Sequence, residues 1–447
     1  MDAVHNDLDL ITDLLAKAKA KGADAADAIL ARGTSVTVDY RLGELEKLER
    51  SEGQDLGLRV LIGKKQAMVS TSDVAPGALE ELLERAIAMA RIAPEDPYCG
   101  VADPDQLGQP VGDLDLCAPQ EVPVETLKEW SKAAEDAARA VPGVTNSEGA
   151  GASYGRSQVS LAISNGFATS YAVTRCGMSA AVLAGEGIAM ERDYDYTAAV
   201  HAEDLRDPAD VGRSAGEKAV KRLNPQKAAT AQVPVVYDPR AGRGLLRSFA
   251  GAISGSSVAR GTSFLKDSMG TAIFNPAITV VDDPHRLRGY RSKPIDAEGL
   301  ANGRRDLVAA GVLQGWVLDL ATARQLGLQS TGNASRGVGG PPSPSASNLY
   351  IAAGDKSPEE LMKDIKSGFY VTETMGFGVN GVTGDYSQGA SGYWIENGEI
   401  AFPVSELTIA GNLKDMFKAM LPANDLEFLY GTDVPTLVVD GMTVAGK

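Results

Sequence analysis

The spacing of apolar residues divides the chain into helical and strand-like stretches. In residues 9–21 and 76–92, leucine, isoleucine and alanine recur every three or four positions, which predicts amphipathic helices. Residues 124–140 and 207–223 carry the same pattern. Between these helices, short runs rich in β-branched and apolar residues predict β-strands.

The strand-like runs of the N-terminal half predict antiparallel sheets. Between residues 25 and 72, β-prone runs are separated at ten-residue intervals by glycines, which predicts a meander with turns at Gly33, Gly43, Gly53 and Gly63. Further strands are expected in residues 144–200, where Asn165-Gly166 is a typical hairpin turn. The N-terminal half is therefore predicted to consist of antiparallel sheets packed with helices.

The C-terminal half has a different pattern. A strand at residues 230–237 is followed by a helix at 239–254, and from residue 277 onward strands and irregular segments dominate. Short helices are predicted at residues 320–326, 358–366 and 413–420. The fold class is therefore α+β, with a mainly β C-terminal half that contains a few helices.

Length and composition predict several domains. A chain of 447 residues is long enough for two or three domains. Residues 99–123 are rich in proline, aspartate and glycine and are expected to form a linker. We predict an N-terminal α/β domain at 1–98, a central α/β domain at 124–228 and a mainly β domain at 229–447.

Charge and targeting signals exclude several classes of function. The formal net charge is −16, which argues against direct binding of nucleic acid because phosphate contacts need a basic surface. Three cysteines without paired spacing indicate a reducing, cytoplasmic environment. The polar N-terminus and the lack of a long apolar run predict no signal peptide and no membrane span.

The helix predicted at residues 239–254 is a candidate site that lacks reactive residues. Asp238 and Pro239 form a favourable helix start, and Leu245, Leu246 and Phe249 form one apolar stripe. Its many glycines allow close approach of other backbone. The helix nevertheless contains no histidine, glutamate or cysteine, so it offers no metal ligand or nucleophile of the usual kinds.

The rest of the chain offers weak candidates for chemistry. The three histidines, His5, His201 and His285, share no helical face or metal-ligand spacing. The alternating acids Glu191, Asp193 and Asp195 could bind a cation, although a charged surface is the default interpretation. Neither a serine-hydrolase elbow nor a phosphate-binding loop is present. The residues alone therefore identify no active site.

Ordered motifs along the whole chain resemble the TldD/PmbA family, specifically its PmbA (TldE) branch. The motifs are AGAISG at 250–255, SFLKDS at 263–268, STGNASR at 330–336, NGVTGDYS at 380–387, GASGYWIENGE at 389–399, PVSELTIAGN at 403–412, GNLKD at 411–415 and PTLVVDGMTVAG at 435–446. The resemblance covers essentially all 447 residues. No single motif is decisive, but the ordered set is specific.

The resemblance implies a cytosolic metallopeptidase system that cleaves unfolded or extended peptides. In this family a TldD-type subunit carries zinc on a His-Glu-x-x-x-His helix together with a cysteine near the C-terminus, and PmbA-type subunits pair with it. Anchoring on RGTS at 260–263 places the two histidines at Leu246 and Gly251 and the glutamate at Arg247. The expected cysteine position, between residues 425 and 435, contains no cysteine.

The favoured hypothesis is a non-catalytic partner subunit that holds no cofactor, with zinc expected in the TldD-type partner. The glycine-rich loops at 331–340 and 376–391 are candidates for contacts at the interface or in a peptide channel, or are only turns. One alternative is a free-standing homodimeric peptide-binding or scaffold protein without a protease role. Another is an enzyme with its own site around His285 and Asp282.

Overall fold

The computed structural model describes residues 2–376 and 378–446, and the side chains of these residues from Asn6 onward. The helices are α1 (Asp2–Ala20), α2 (Pro76–Ile92), α3 (Val124–Arg139), α4 (Pro208–Lys221), α5 (Pro239–Ala252), α6 (Gly255–Ala259), α7 (Leu320–Leu326), α8 (Pro358–Met362) and α9 (Leu413–Ala419). The α+β class is confirmed, with a mainly β C-terminal half.

The strands follow in chain order. They are β1 (Ala25–Arg41), β2 (Glu44–Ile62), β3 (Lys65–Thr71), β4 (Val144–Ile163), β5 (Ala168–Ala184), β6 (Glu191–Ala199), β7 (Ala231–Tyr237), β8 (Val280–Asp282), β9 (Arg305–Ala309), β10 (Val312–Leu313), β11 (Ala334–Ser335), β12 (Ser343–Pro344), β13 (Leu349–Ile351), β14 (Ser367–Met375), β15 (Asp385–Glu396), β16 (Glu399–Asn412), β17 (Met420–Pro422), β18 (Thr432–Asp433) and β19 (Leu437–Ala445).

The N-terminal half is built on one antiparallel sheet of strand order β3-β2-β1-β4-β5-β6. Helices α1 and α2 pack on one part of it, and α3 and α4 pack on another. Because side chains alternate along a strand, the even-numbered apolar residues of β1 all face these helices. The sheet contains strands from both domains predicted before residue 228, whose boundaries stay a prediction.

The strands of this sheet are longer than predicted. Turns at Gly33 and Gly53 were wrong, because β1 and β2 run through both glycines and pair them with each other. Gly43 and Gly63 do form turns, and they alone of the four adopt a positive φ, 85° and 58°. A glycine therefore ended a strand only where the backbone needed the left-handed conformation.

The C-terminal half contains a closed barrel. Strands β16, β15, β14, β7 and β19 pair in that order, and β19 pairs back with β16. Only the contact between β7 and β14 is parallel. Helix α5 packs into the adjoining core, where the Phe249 ring lies 5.3 Å from that of Phe274 and 6.2 Å from that of Phe417. A smaller sheet of order β10-β9-β8-β13-β18 flanks this core.

The two halves meet on the sheet face opposite α1 and α2. Ile29, Leu161 and Ile163 point to that face and pack with Ile295 from the C-terminal half. None of the described helices is long and apolar enough to cross a membrane. The helices instead bury their apolar faces on the sheet and in the C-terminal core.

The contact between α3 and α4 depends on a glycine. A Cβ added at Gly212 of α4 would lie 1.9 Å from the Ala134 carbonyl oxygen of α3, so Gly212→Ala must push the helices apart. We expect a loss of about 1–3 kcal/mol in the free energy of unfolding, measured by urea denaturation. Gly244→Ala, at an exposed helical glycine with open space around it, is the control and should be neutral or stabilising. Equal effects of the two changes would contradict this account of the packing.

Candidate functional site

Helix α5 begins as the sequence predicts. Asp238 follows β7 and its carboxylate accepts a hydrogen bond from the Arg240 backbone amide at 2.8 Å, while Pro239 occupies the first turn. Leu245, Leu246 and Phe249 are buried to within 1% of complete burial. The apolar stripe therefore fixes the helix in the C-terminal core.

The three positions of the degenerate motif do not converge on one point. The Leu246 side chain is in the core, whereas Arg247 and Gly251 are exposed. Arg247 and Gly251 border a cavity of about 270 Å³, which Thr432 also lines. The segment in which a cysteine was expected thus lies beside α5, and it presents a threonine at this cavity.

The side chains of Leu246, Arg247 and Gly251 are not suited to bind a zinc ion. Leucine and glycine side chains have no donor atom, and an arginine keeps its proton at working pH. Throughout residues 6–376 and 378–446, no cluster of three or more histidine, cysteine, aspartate or glutamate side chains is arranged to hold a metal. The assignment of Leu246, Arg247 and Gly251 to the motif stays a prediction.

The alternative site at His285 and Asp282 is not assembled in the structure. The His285 Nε2 atom is hydrogen-bonded to the Asn302 side chain at 2.7 Å. The buried Asp282 carboxylate accepts hydrogen bonds from Asn333 and from the amide and hydroxyl of Ser347, each at 2.7 Å. Burial raises the pKa of Asp282 and these hydrogen bonds oppose the rise. Both residues therefore have structural partners instead of each other.

The other two histidines provide no candidate catalytic or metal-binding site in the described part of the chain. His201 is buried, and its Nε2 atom lies 2.9 Å from the Asp115 carbonyl oxygen and 3.1 Å from the Asp115 carboxylate. This pair ties the end of β6 to the segment before α3. The side chain of His5 lies outside the described residues.

The glycine-rich loop at 331–340 joins the two halves of the molecule. The side chain of Arg336 is completely buried and forms an ion pair with Asp27 of β1, which also binds Arg59 at 2.6 Å. The Val338 backbone packs so closely on β2 that a Cβ at Gly57 would lie 2.2 Å from its carbonyl oxygen. We call the contact of Asp27, Arg59 and Arg336 the interdomain clasp. A role of this loop in subunit or peptide contacts stays a prediction.

A buried carboxyl lies close to the clasp. Burial raises the pKa of Glu298 to about 8, and the neighbouring carboxylates of Asp296 and Asp319 act in the same direction. The Leu320 amide donates to its carboxyl at 2.8 Å, and that hydrogen bond and the charge of Arg59 oppose the rise. In the folded protein, Glu298 is therefore largely protonated at neutral pH. In the unfolded chain, the same carboxyl is ionised at that pH.

A cavity of about 800 Å³ lies between the two halves. It is bordered by β6 and α4 on one side and by the start of α5, β14, β16 and residues 425–434 on the other. The acids Asp193 and Asp195 of β6 are ion-paired here, with Arg240 at 2.7 Å and Arg206 at 3.0 Å. These two acids of β6 and the helix start at Asp238 and Pro239, all noted in the sequence, border this cavity.

Comparison with known families identifies the relatives of this fold. Residues 26–90 match a model described as PmbA/TldA metallopeptidase domain 1, residues 117–223 match the central domain, and residues 230–446 match the C-terminal domain. The chain belongs to the PmbA/TldD metallopeptidase family. The family assignment made from the ordered motifs is thus confirmed.

Individual relatives extend over nearly the whole chain. Metalloprotease PmbA of Escherichia coli O157:H7 is 38% identical over 97% of this chain and 94% of its own length. A crystal structure from Bacteroides thetaiotaomicron, described as a candidate modulator of DNA gyrase, has a TM-score of 0.90 at 26% identity and covers 98% of both chains. TldE from Thermococcus kodakarensis has the same fold, with a TM-score of 0.85 at 21% identity over 98% of this chain and 100% of its own.

The Glu298 carboxyl should make stability depend on pH. Its pKa is about 8 in the folded protein and about 4.5 in the unfolded chain, so between these values the folded state holds one more proton. The free energy of unfolding should therefore fall as pH rises from 5 to 8, with about 1.4 kcal/mol per pH unit from this group. Glu298→Gln should remove this part of the slope in urea titrations. An unchanged slope in the variant would show that Glu298 ionises normally.

The interdomain clasp should be sensitive to loss of its carboxylate. Asp27→Asn removes the carboxylate that is ion-paired with two buried guanidinium groups, so we expect a loss of about 3–5 kcal/mol in the free energy of unfolding. Asp355→Asn, at an exposed position, serves as the control in the same urea titration. A loss below 1 kcal/mol at Asp27 would mean that the clasp does not hold the halves together.

Proposed function

We propose that this chain is the non-catalytic partner subunit of a cytosolic metalloprotease of the TldD/TldE type. The main support for the proposal is that α5 lacks metal-binding side chains. Leu246 is buried in the core, and Arg247 and Gly251 provide no ligand for zinc. The zinc ion and the general base are then supplied by a TldD-type subunit. The family membership and the names PmbA and TldE among its relatives support this division of labour.

In this proposal the chain helps to hold unfolded or extended peptides. Such peptides bind readily by adding a strand to an open sheet edge, because backbone hydrogen bonds are insensitive to sequence. At the β6 edge, the carbonyl oxygens of Tyr194 and Tyr196 already accept hydrogen bonds from Arg240 and Tyr430. That edge is therefore a poor place for strand addition.

The opposite edge of the sheet is the better candidate. Strand β3 pairs with β2 only from Leu56 onward, so the outer side of β2 from Glu44 to Asp55 has no strand partner among the described residues. The turn that carries this edge is held by the buried Glu135 of α3, which accepts hydrogen bonds from the Leu42 and Gly43 amides at 2.6 and 2.8 Å. A rigid, unpaired edge of this length suits either a peptide or a partner strand.

A reconstitution experiment tests the proposal. The purified chain, a TldD-type subunit from the same genome and their mixture are each incubated with zinc and a denatured peptide substrate, and cleavage is followed by mass spectrometry. We expect efficient cleavage only in the mixture, and bound zinc only in the TldD-type subunit by atomic absorption. Cleavage by this chain alone, or full cleavage without it, would refute the proposal.

A further inference from the structure

The interdomain cavity contains a buried cation that forms no direct ion pair with a carboxylate among the described residues. Arg243 of α5 is 8% exposed and lines this cavity. Within the described part of the chain, its side chain makes one hydrogen bond, from Nη1 to the Tyr196 hydroxyl at 2.8 Å. Among the described residues no carboxylate lies within 4.0 Å of its guanidinium nitrogens.

Several of the other charges around the cavity are paired within the protein, whereas Lys221 and Glu427, which also line it, have no ion pair among the described residues. Arg240 pairs with Asp193, and Asp195 pairs with both Arg206 and Lys218, at 3.0 and 3.2 Å. Asp433, an acid in the same wall, accepts hydrogen bonds from the Tyr430 and Gly431 backbone amides, each at 3.0 Å, and the nearby charge of Arg243 opposes the rise that burial causes in its pKa. Arg243 therefore remains with unused donors in a nearly buried position.

Aromatic rings hold the Arg243 guanidinium in place. Its central carbon lies 4.6 Å from the centre of the Tyr430 ring and 5.8 Å from that of Tyr196, and these two rings stack at 4.5 Å. The Tyr430 hydroxyl donates to the Tyr196 carbonyl oxygen at 2.9 Å, which ties the two halves together at this point. The guanidinium is thus positioned before any ligand arrives, which lowers the entropic cost of binding.

We propose that this cavity binds a carboxylate group attached to an apolar or aromatic body. The planar fork of a guanidinium matches the two oxygens of a carboxylate, and Arg243 has free donors for such a contact. Side chains of Tyr393, Phe402 and Leu429 provide apolar surface for the rest of the ligand. A volume of about 800 Å³ accommodates a group of the size of one or two amino-acid residues.

The position of the cavity admits the end of an extended chain. Tyr196 borders both the interdomain cavity and a shallow groove on the open face of the first sheet. That groove is lined by small residues, including Gly151, Ser153 and Gly177, which leave room for a backbone. The carboxylate can therefore belong to the C-terminus of a peptide or to a free organic acid, and the chemistry recognised by Arg243 is the same.

Calorimetric titration tests the proposal with defined probes. The full chain is titrated with the tetrapeptide Ala-Ala-Ala-Phe bearing a free C-terminal carboxylate, with the same peptide amidated at its C-terminus, and with 3-phenylpropanoate. We expect at least one of the two acids to bind about tenfold or more tightly than the amide, because loss of a charge-assisted bidentate contact costs at least about 1.4 kcal/mol. Binding of the peptide acid alone identifies a peptide terminus, and binding of both acids identifies a general carboxylate site.

Variants locate the binding site. Arg243→Gln should lower the affinity for the acid about tenfold or more and leave the affinity for the amide unchanged. Arg213→Gln, at an exposed position of α4, should change neither. Equal affinities of acid and amide for the unaltered protein would refute the proposal, whether or not the variants fold. An Arg243→Gln variant that folds and binds the acid with full affinity would also refute it.

Discussion

The arrangement of the molecule depends on the ion pair between Arg336 and Asp27. A guanidinium with no exposed surface is carried by a loop of the C-terminal half into the face of the first sheet. Removing two charged groups from water is costly, so the contact is stable only when its geometry and its additional partner, Arg59, are all in place. Together with the apolar contact of Ile295 on the sheet and the hydrogen bond from Tyr430 to Tyr196, this ion pair holds the two halves at the cavity between them.

The burial of Arg336 in its loop could not be predicted from the sequence. The glycines of this loop are typical of a mobile or site-lining segment, yet its arginine is among the most deeply buried charges of the protein. Composition describes the backbone freedom of a loop but not the surface on which it packs. The partner residue Asp27 lies more than 300 positions earlier in the chain. A contact between such distant residues leaves no local pattern.

Helices were easier to predict than strands for a physical reason. Helices α2, α5 and α8 each begin with proline at the first helical position, and the cap predicted at Asp238 is present in the structure. Strand ends have no such local marker, because Gly33 and Gly53 keep an extended backbone when strands lie on both sides of β1. The cavity around Arg243 was not predicted from the sequence. The two tyrosines whose rings contact the Arg243 guanidinium, Tyr196 and Tyr430, are distant in sequence from Arg243 and from each other.

The closure of the barrel by β19 has a consequence for biosynthesis. Strand β7 pairs with a segment that the ribosome makes about 200 residues later, so the C-terminal half cannot complete its barrel until residues near 445 have left the exit tunnel. The first sheet needs nothing beyond β6 and can form much earlier. During that interval β7 and α5 expose apolar surface, which makes the nascent C-terminal half a natural client for chaperones.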